Sequence, residues 1–256
     1  MKDLNLFQKQ LLDYQVKSEV MKPWQEGKDP YRIWLFEIIM QQTRMQQGYP
    51  YYQKIVAKCP TVEKLADATE DELFSLWKGL GYYSRARNLH HTAKYIANNL
   101  EGVFPNNYTD LLKLKGVGEY TAAAIASFAF DEDVAVLDGN VHRVLSRYFG
   151  IAKTIQSSVD KKEFQSLAND LLIRGRSADF NQAMMDLGAS LCSRNKPVCQ
   201  ECPLQQDCQA FLLDKTVEYP HRKPKKKIPT KQATMLLDIN KSKQLLLIKR
   251  NLLKQK

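Results

Sequence analysis

The apolar residues of the chain recur mostly at helical spacing. Residues 3–16 predict an amphipathic helix, and residues 31–44 (YRIWLFEIIMQQTR) predict a second helix that is apolar around nearly its whole circumference and therefore buried. Residues 69–72 match a capping box at the start of another helix. The other positions with helical apolar spacing are Leu111, Leu112, Leu114, Ala122, Ala126, Val141, Val144, Leu145, Tyr148, Phe164, Leu167, Leu171, Leu172, Phe180, Met184 and Leu187. No strand-rich pattern occurs before residue 232, so residues 1–214 predict an all-α fold.

One carboxylate interrupts the helix predicted to be buried. Glu37 lies in the middle of residues 31–44. A carboxylate among such neighbours is unfavourable unless it is paired or its pKa is raised, which makes Glu37 a candidate catalytic group. The alternative is a glutamate at a gap in the core, bonded to the backbone.

Gln41 follows on the same helix face and Gln42 comes next, so these amides are candidates to probe base edges or are ordinary surface residues.

A glycine turn and an aspartate each precede a predicted helix in residues 114–144. Gly116 and Gly118 permit positive φ, and the free amides of the helix that follows predict an anion site. Asp138 is an expected N-cap, where the helix dipole keeps its carboxylate ionised. Either feature alone is more often structural. Together they predict a phosphate-binding hairpin beside a fixed negative charge.

A second glycine turn leads into a helix at residues 79–87 (GLGYYSRAR). A tyrosine such as Tyr82 can wedge between stacked bases, and an arginine such as Arg85 can bind phosphate. Core packing of either Tyr82 or Tyr83 is the ordinary alternative.

Length and hydropathy exclude a membrane class. The chain has 256 residues, 44% of them hydrophobic, enough for one or two cores. It has no apolar run of about 18 residues and no signal-peptide pattern at its start, so we expect a soluble intracellular protein.

The net charge of +10 is concentrated at the C-terminal end. Residues 215–256 hold 13 Lys/Arg and two acids, a charge of +11 that leaves −1 for residues 1–214. Any binding of DNA by the main body must therefore depend on local clusters and backbone amides. The basic run at residues 222–227 predicts a solvated linker. One local cluster consists of Arg85, Arg87, His90, His91 and Lys94.

Four cysteines predict a metal centre. Cys192, Cys199, Cys202 and Cys208 have the spacing C-x6-C-x2-C-x5-C. In an intracellular protein this density favours metal binding over disulfides. Zinc sites usually contain two C-x2-C pairs, whereas a single pair with longer arms better suits a [4Fe–4S] cluster. Cys59 stands apart and is expected to be a buried thiol.

These motifs together resemble the MutY-type adenine DNA glycosylases of the helix-hairpin-helix superfamily, which includes endonuclease III. The resemblance runs through residues 1–214, in PYRIWLFEIIMQQT, WKGLGYYSRARNLH, LKGVGEYTAAAIASFA, LDGNVHRVL, FNQAMMDLGASLC and the cysteine loop. It implies a two-lobed glycosylase domain. Its parts would be a six-helix lobe of about residues 31–130, a cluster lobe of residues 1–30 plus 131–214, and a cluster loop at 192–208.

The resemblance also implies the substrate and the reaction. The substrate would be double-stranded DNA with adenine opposite 8-oxoguanine or guanine, bound by a monomer in the bacterial cytoplasm. Glu37 would protonate adenine at N7, and Asp138 would stabilise the positively charged sugar, with Asn140 and Tyr120 as orienting hydrogen-bond partners. Tyr120 occupies the position of the endonuclease III lysine nucleophile, so no Schiff base or strand cleavage is expected.

The DNA contacts implied by the resemblance follow the same motifs. The hairpin at Gly116 and Gly118 would anchor the backbone, and Gln41, Gln42 and Tyr82 would fill the duplex around the extruded base.

Residues 215–231 form the predicted basic linker, and residues 232–256 contain two β runs around a turn at 240–243. In the family these runs would open a Nudix-like domain that reads 8-oxoguanine, so residues 232–256 are expected to be its incomplete start.

Two rival functions remain open. One is an endonuclease III-like lyase acting on oxidised pyrimidines, which Tyr120 disfavours. The other is a non-catalytic DNA-binding or electron-transfer module built on the iron–sulfur cluster.

Overall fold

Every regular element in the described part of the chain is helical. The computed structural model describes residues 4–14, 22–155 and 157–221. The longer helices are α1 (Leu4–Asp13), α3 (Pro30–Met40), α4 (Met45–Lys58), α6 (Glu70–Trp77), α7 (Tyr83–Asn99), α9 (Glu119–Phe130), α10 (Gly139–Phe149), α11 (Ser158–Asp170) and α12 (Ser177–Ala189). The short ones are α2 (Pro23–Glu26), α5 (Val62–Asp67), α8 (Tyr108–Leu111) and α13 (Gln209–Leu212), with 3-10 turns at Cys199–Glu201 and Gln205–Asp207. The predicted helical class is confirmed for these residues.

Helix α3 forms the centre of the core. Its residues Ile33, Trp34 and Leu35 are fully buried, and it packs against α4 and α9. Asp29 caps its start by accepting from the Tyr31 amide at 2.9 Å, and Pro30 occupies the first turn, where its missing N–H has no cost. The predicted burial of this helix is confirmed.

Two predicted helix boundaries differ from the structure. Helix α3 ends at Met40 rather than residue 44, because Gln42 has φ of 57°, in the left-handed region that cannot continue an α-helix. Helix α1 ends at Asp13, and part of the predicted segment 3–16 lies outside the described residues. The capping box is present, since the Glu72 amide donates to Thr69 Oγ1 at 3.2 Å.

The chain divides into two compact units, Met1–Arg222 and Lys223–Lys256, and all described residues belong to the first. Residues 215–221, which we assigned to the linker, bond to the body. The His221 amide donates to the Ala152 carbonyl at 2.9 Å. The β runs predicted at 232–250 lie outside the described residues.

Cys59 is buried, as predicted, and its carbonyl accepts from the Tyr31 hydroxyl at 2.6 Å. Among the helices that the structure describes, none combines the length and apolar character needed to cross a membrane.

Candidate active site

A cavity of about 190 Å³ lies between α3, α9, α12 and the start of α10. Glu37 and Asp138 both line it, although they are about a hundred residues apart in the sequence. The residues around it are Lys22, Phe36, Glu37, Met40, Thr43, Met45, Tyr120, Asp138, Asn140, Gln182, Met185, Asp186 and Ala189. The four residues predicted to be catalytic therefore face one space.

Glu37 is buried in the wall of this cavity, with 3% of its surface exposed. Burial is the main cause that raises the pKa of Glu37 to about 7, and the negative charge of Asp138 acts in the same direction. A side-chain hydrogen bond with Tyr120 and the positive charge of Lys22 oppose the rise. Glu37 can therefore exchange a proton near neutral pH.

Tyr120 supplies a neutral hydroxyl beside Glu37. Burial, and then the nearby charges of Glu37 and Asp138, raise the pKa of this phenol well above its usual range. Its hydroxyl also lies 3.5 Å from the sulfur of Met185, on the cavity wall. Tyr120 can thus orient Glu37 without carrying charge.

Asp138 is held by three N–H donors at the start of α10. Its Oδ1 accepts from the amides of Asn140 and Val141, each at 2.8 Å, and its Oδ2 accepts from Asn140 Nδ2 at 2.9 Å. The helix dipole adds a favourable interaction with negative charge at this position. The predicted N-cap is confirmed, and the carboxylate has a fixed orientation.

Arg143 connects Asn140 with the cysteine loop, a link that the sequence pattern did not reveal. Its guanidinium donates to Asn140 Oδ1 at 2.8 Å, to the Gly188 carbonyl at 2.7 Å and to the Cys192 carbonyl at 2.7 Å. Arg143 lies three residues after Asn140, on the adjacent turn of α10, which is the only hint in the sequence.

Gly188 allows α12 to approach the start of α10 closely. A Cβ at Gly188 would lie 2.6 Å from the Cβ of Asn140 and 3.1 Å from its Cα. Real Cβ atoms almost never approach another atom as closely as 2.6 Å, and 3.1 Å to a backbone atom is tighter than most such contacts. The glycine therefore helps to place Asn140, and through it Asp138.

The predicted phosphate-binding hairpin joins α8 to α9. Gly116 has φ of 84°, and a Cβ there would lie 2.8 Å from Asn88. Gly118 is the N-cap of α9, but its φ of −95° is extended, so only Gly116 needs positive φ. No side chain caps α9, which leaves its first amides available to an anion.

Two residues predicted to contact DNA adopt left-handed backbone conformations. Gln42 has φ of 57° and Tyr82 has φ of 48°, and both side chains are exposed, Tyr82 by 64%. Such conformations are uncommon for residues other than glycine and often mark functional positions. Gln41 instead donates to Thr121 Oγ1 at 3.2 Å, and Tyr83 packs edge-on to Phe74.

The burial of Arg85 argues against the predicted phosphate contact. Only 8% of its surface is exposed, and it donates to carbonyls at the C-terminal end of α3: Ile39 at 2.8 Å, Ile38 at 3.2 Å and Gln41. A cation there satisfies the free carbonyls of the helix end. His90 is also buried, bonded to the Ala68 carbonyl, so the predicted basic cluster is not one continuous surface.

The cysteine loop surrounds a small cavity of about 30 Å³. Cys192, Cys199, Cys202 and Cys208 all line it. Across residues 4–14, 22–155 and 157–221, no three His, Cys, Asp or Glu side chains are arranged to hold one metal ion. Four cysteines around a common space are the donor set that a [4Fe–4S] cluster requires.

Arg147 organises this loop and was also missed in the sequence. It is 2% exposed, and its guanidinium lies 3.3 Å from Cys192 Sγ. The same group donates to the carbonyls of Ser193 at 2.8 Å, Arg194 at 3.0 Å and Tyr219 at 3.1 Å. Burial raises the pKa of the Cys199 thiol, and the positive charge of Arg147 opposes that rise.

Comparison with known proteins agrees with this geometry. Residues 35–170, slightly more than half of the chain, match the HhH-GPD superfamily of base excision DNA repair proteins. The chain belongs to this superfamily. The HhH-GPD match covers the hairpin, Glu37 and Asp138, and it confirms the superfamily predicted from these motifs.

Curated relatives of this HhH-GPD protein are named adenine DNA glycosylase. The one from Buchnera aphidicola subsp. Baizongia pistaciae is 38% identical over 228 residues, which cover 89% of this chain and 64% of the relative. The one from Arabidopsis thaliana is 39% identical and covers 79% of this chain and 36% of the relative. The chain thus spans less than two thirds of the length of these relatives. The resemblance to the adenine branch of the superfamily is confirmed.

A solved structure with the same fold is that of a thermostable thymine-DNA glycosylase. It superposes with a TM-score of 0.75 at 30% identity, over 82% of this chain and 97% of that one.

Proposed function

We propose that the chain is a monofunctional adenine DNA glycosylase, which hydrolyses the N-glycosidic bond of adenine opposite 8-oxoguanine or guanine. The observation that carries the proposal is the pairing of two unlike carboxyl groups in one cavity. Glu37 is buried and has a pKa of about 7, whereas Asp138 is fixed by three N–H donors. Two such groups on either side of a glycosidic bond are the usual catalytic pair of enzymes that hydrolyse it.

The cavity is smaller than a pocket for a drug-sized ligand, and in this proposal it takes the base alone. Its volume of about 190 Å³ lies below the roughly 300–1,000 Å³ of pockets that take drug-sized ligands. A base buried in a duplex is out of reach of any side chain, so the target nucleotide must leave the stack and place its base here.

Glu37 acts first as an acid. Adenine leaves poorly as an anion, and a proton delivered to its ring nitrogen N7 makes it a neutral leaving group. The raised pKa keeps Glu37 protonated below about pH 7, and the Tyr120 hydroxyl orients it. Once it has lost its proton, Glu37 can accept one from the attacking water.

Asp138 stabilises the sugar as the bond breaks. Positive charge develops on the deoxyribose ring in this transition state. The carboxylate is already oriented by the start of α10, so it needs no reorganisation when that charge appears. Asn140 holds Oδ2 of Asp138 and is in turn held by Arg143.

Gln182 is the residue of the cavity best suited to recognise adenine. Its amide offers one donor and one acceptor, which match the donor and acceptor that adenine presents side by side. The methionines Met40, Met45 and Met185 supply apolar, adaptable surface for a flat ring.

The chemistry of the cavity supports a monofunctional enzyme. Tyr120 offers a hydroxyl where a lyase needs an amine. Lys22 does bring an amine to the wall, but its Nζ is paired with Asp186 at 2.8 Å. An ammonium held by a carboxylate has no free electron pair with which to attack the sugar.

The DNA backbone binds at the hairpin of Gly116 and Gly118 in this proposal. The exposed Tyr82 and Gln42 enter the duplex beside the extruded nucleotide. Both side chains are exposed on left-handed backbone, and the Tyr82 ring lies against the guanidinium of Arg85, 5.6 Å from the ring centre.

The four cysteines of the loop are the residues that would hold a [4Fe–4S] cluster. When bound, the cluster would cross-link residues 192–208 and stabilise the loop. Two arginines of the protein hold this loop in place. Arg147 binds Cys192, Ser193 and Arg194 in the loop and Tyr219 beyond it. Arg143 links the Cys192 carbonyl to the side chain of Asn140.

A strand-cleavage assay tests the proposal. The protein is incubated with duplexes that carry adenine opposite 8-oxoguanine, guanine or thymine, and with a duplex that carries thymine glycol. Each sample is divided, and one half is treated with alkali. We expect alkali-dependent breaks at adenine opposite 8-oxoguanine and guanine, and no adduct trapped by borohydride.

Other results would support the rival functions. Breaks at thymine glycol without alkali, together with a trapped adduct, would indicate an endonuclease III-like lyase. Binding of every duplex without any break would indicate a non-catalytic module.

A further inference from the structure

A buried ion pair forms part of the wall of the Glu37 cavity. Lys22 is the N-cap residue of α2, and its Nζ lies 2.8 Å from Asp186 Oδ1 on α12. The side chains are 9% and 22% exposed, and both residues line the same cavity as Glu37 and Asp138.

Lys22 is the one cation among the residues that the structure places around this cavity, beside the three acids Glu37, Asp138 and Asp186. Burying a lysine is unfavourable, and a pair of this kind contributes little net stability over an apolar pair of the same size. In a small cavity of low polarity, however, its charge acts strongly on neighbouring groups. The position therefore suggests a role in the chemistry of the site.

We propose that Lys22 is a positioning residue whose ammonium group, fixed by Asp186, sets the pH range over which Glu37 donates its proton. The role of that proton in adenine excision rests on the proposed function. The effect of Lys22 on Glu37 does not, because it follows from the arrangement of charges alone.

The charges that surround Glu37 come from several elements. Burial raises the pKa of Glu37 most, Asp138 adds to the rise, and Tyr120 and Lys22 oppose it. Arg85 also approaches α3, but at its C-terminal carbonyls. The charged or titratable groups that share the cavity with Glu37 are Lys22 before α2, Tyr120 from α9, Asp138 before α10 and Asp186 from α12. From α4, Tyr52 contacts Phe36 of α3, and Cys59 at the end of α4 accepts a hydrogen bond from Tyr31.

Substitutions of the pair give an ordered set of expectations. Lys22→Met removes the cation and leaves Asp186 uncompensated, so Glu37 should hold its proton to higher pH than in the wild type. Asp186→Asn leaves an unpaired cation, so Glu37 should lose its proton at lower pH. The double variant should lie between Lys22→Met and the wild type, and Lys22→Arg should resemble the wild type.

The first measurement does not require activity. Infrared difference spectra of each holoprotein are recorded across pH, and the carboxylic acid band that disappears in Glu37→Gln reports protonation of Glu37. Lys28→Met is the matched control, since Lys28 is an exposed lysine that pairs with Asp131 on the surface. It should leave the Glu37 band unchanged.

The second measurement is the single-turnover rate of adenine excision across pH. At alkaline pH, where the rate falls, we compare the rate of each protein as a fraction of its own maximum. This fraction should be roughly 3- to 10-fold higher in Lys22→Met than in the wild type, the effect of a shift of about half to one pH unit in the protonation of Glu37.

The infrared titration decides the inference. Equal titration of Glu37 in Lys22→Met and the wild type, or a shift of the same sign in Lys22→Met and Asp186→Asn, would overturn it. If Glu37 loses its proton in the expected order of pH across the variants, but no variant excises adenine, the effect of Lys22 is upheld and the proposed function is refuted. If Lys22→Met does not fold, two other variants carry the same test. Relative to the wild type, Glu37 should lose its proton at lower pH in Asp186→Asn and at higher pH in the double variant.

Discussion

At the scale of single residues, the two carboxyl groups of the cavity differ because their surroundings differ. Glu37 has almost no contact with water and one hydroxyl partner, so its neutral form is favoured. Asp138 has three N–H donors and the start of a helix, which favour negative charge. The same functional group can thus donate a proton at one position and balance positive charge at the other.

Glu37 should make the stability of the protein depend on pH. Its folded pKa of about 7 exceeds its ordinary value of 4.5, so its contribution to stability is complete below about pH 4.5 and is lost as pH rises through about 7. Relative to Glu37→Gln, the wild type should lose on the order of 2–3 kcal/mol of unfolding free energy between about pH 5 and pH 8. Urea unfolding of both proteins across this range measures the difference.

Glu101→Gln removes an exposed glutamate outside the cavity. It shows how the unfolding free energy varies with pH when one carboxyl group that is not buried is lost. Parallel stability curves for the wild type and Glu37→Gln would show that the Glu37 pKa is not raised.

At the scale of elements, close contacts between helix ends bring the site together. The start of α10 carries Asp138 and Asn140, and α12 reaches it through Gly188, where a side chain would collide with Asn140. Arg143 then binds both helices and the cysteine loop. This contact between α10 and α12 fixes the Asp138 carboxylate with respect to α12.

Gly188→Ala should displace the start of α10. Overpacking at this contact should cost about 1–3 kcal/mol of stability. Because Asn140 holds Asp138, excision should fall roughly tenfold or more. Thermal unfolding and single-turnover excision measure these effects.

Gly139→Ala is the stability control, because a Cβ there meets nothing within 4 Å and alanine favours a helix. If Gly188→Ala unfolded at the same temperature as Gly139→Ala and kept full activity, the contact would be unimportant.

The sequence predicted the elements better than the contacts between them. The buried α3, the cap at Asp138 and the glycine hairpin follow from local patterns: apolar spacing, capping chemistry and positive φ at Gly116. The roles of Arg85 and Arg147 do not, because an arginine on an amphipathic helix has the same pattern whether it meets water or a buried carbonyl.

At the scale of the whole molecule, binding to DNA and excision of the base should depend on different parts of the chain. Residues 1–214 carry a net charge of −1, so in the proposed function their contact with DNA would rely on the hairpin amides and a few side chains. The charge of +11 lies in residues 215–256. Sequence-independent affinity should therefore come mainly from that basic segment.

Neutralising the basic run at residues 222–227 should weaken non-specific binding without slowing the chemical step. Each lost phosphate contact should lower the slope of log affinity against log salt by about 0.9. Fluorescence anisotropy with an undamaged duplex at several salt concentrations measures the slope. Excision at saturating protein should keep its wild-type rate; a slower rate would show that the run takes part in catalysis.

The most direct test of the account compares binding and excision by Glu37→Gln on a duplex with adenine opposite 8-oxoguanine. The glutamine keeps the shape of the side chain but has no acidic proton to give. We expect the affinity for the duplex to stay within a few-fold of the wild type, while single-turnover excision of adenine becomes undetectable. Excision near the wild-type rate would contradict the account, because the cavity would then break the glycosidic bond without its acid.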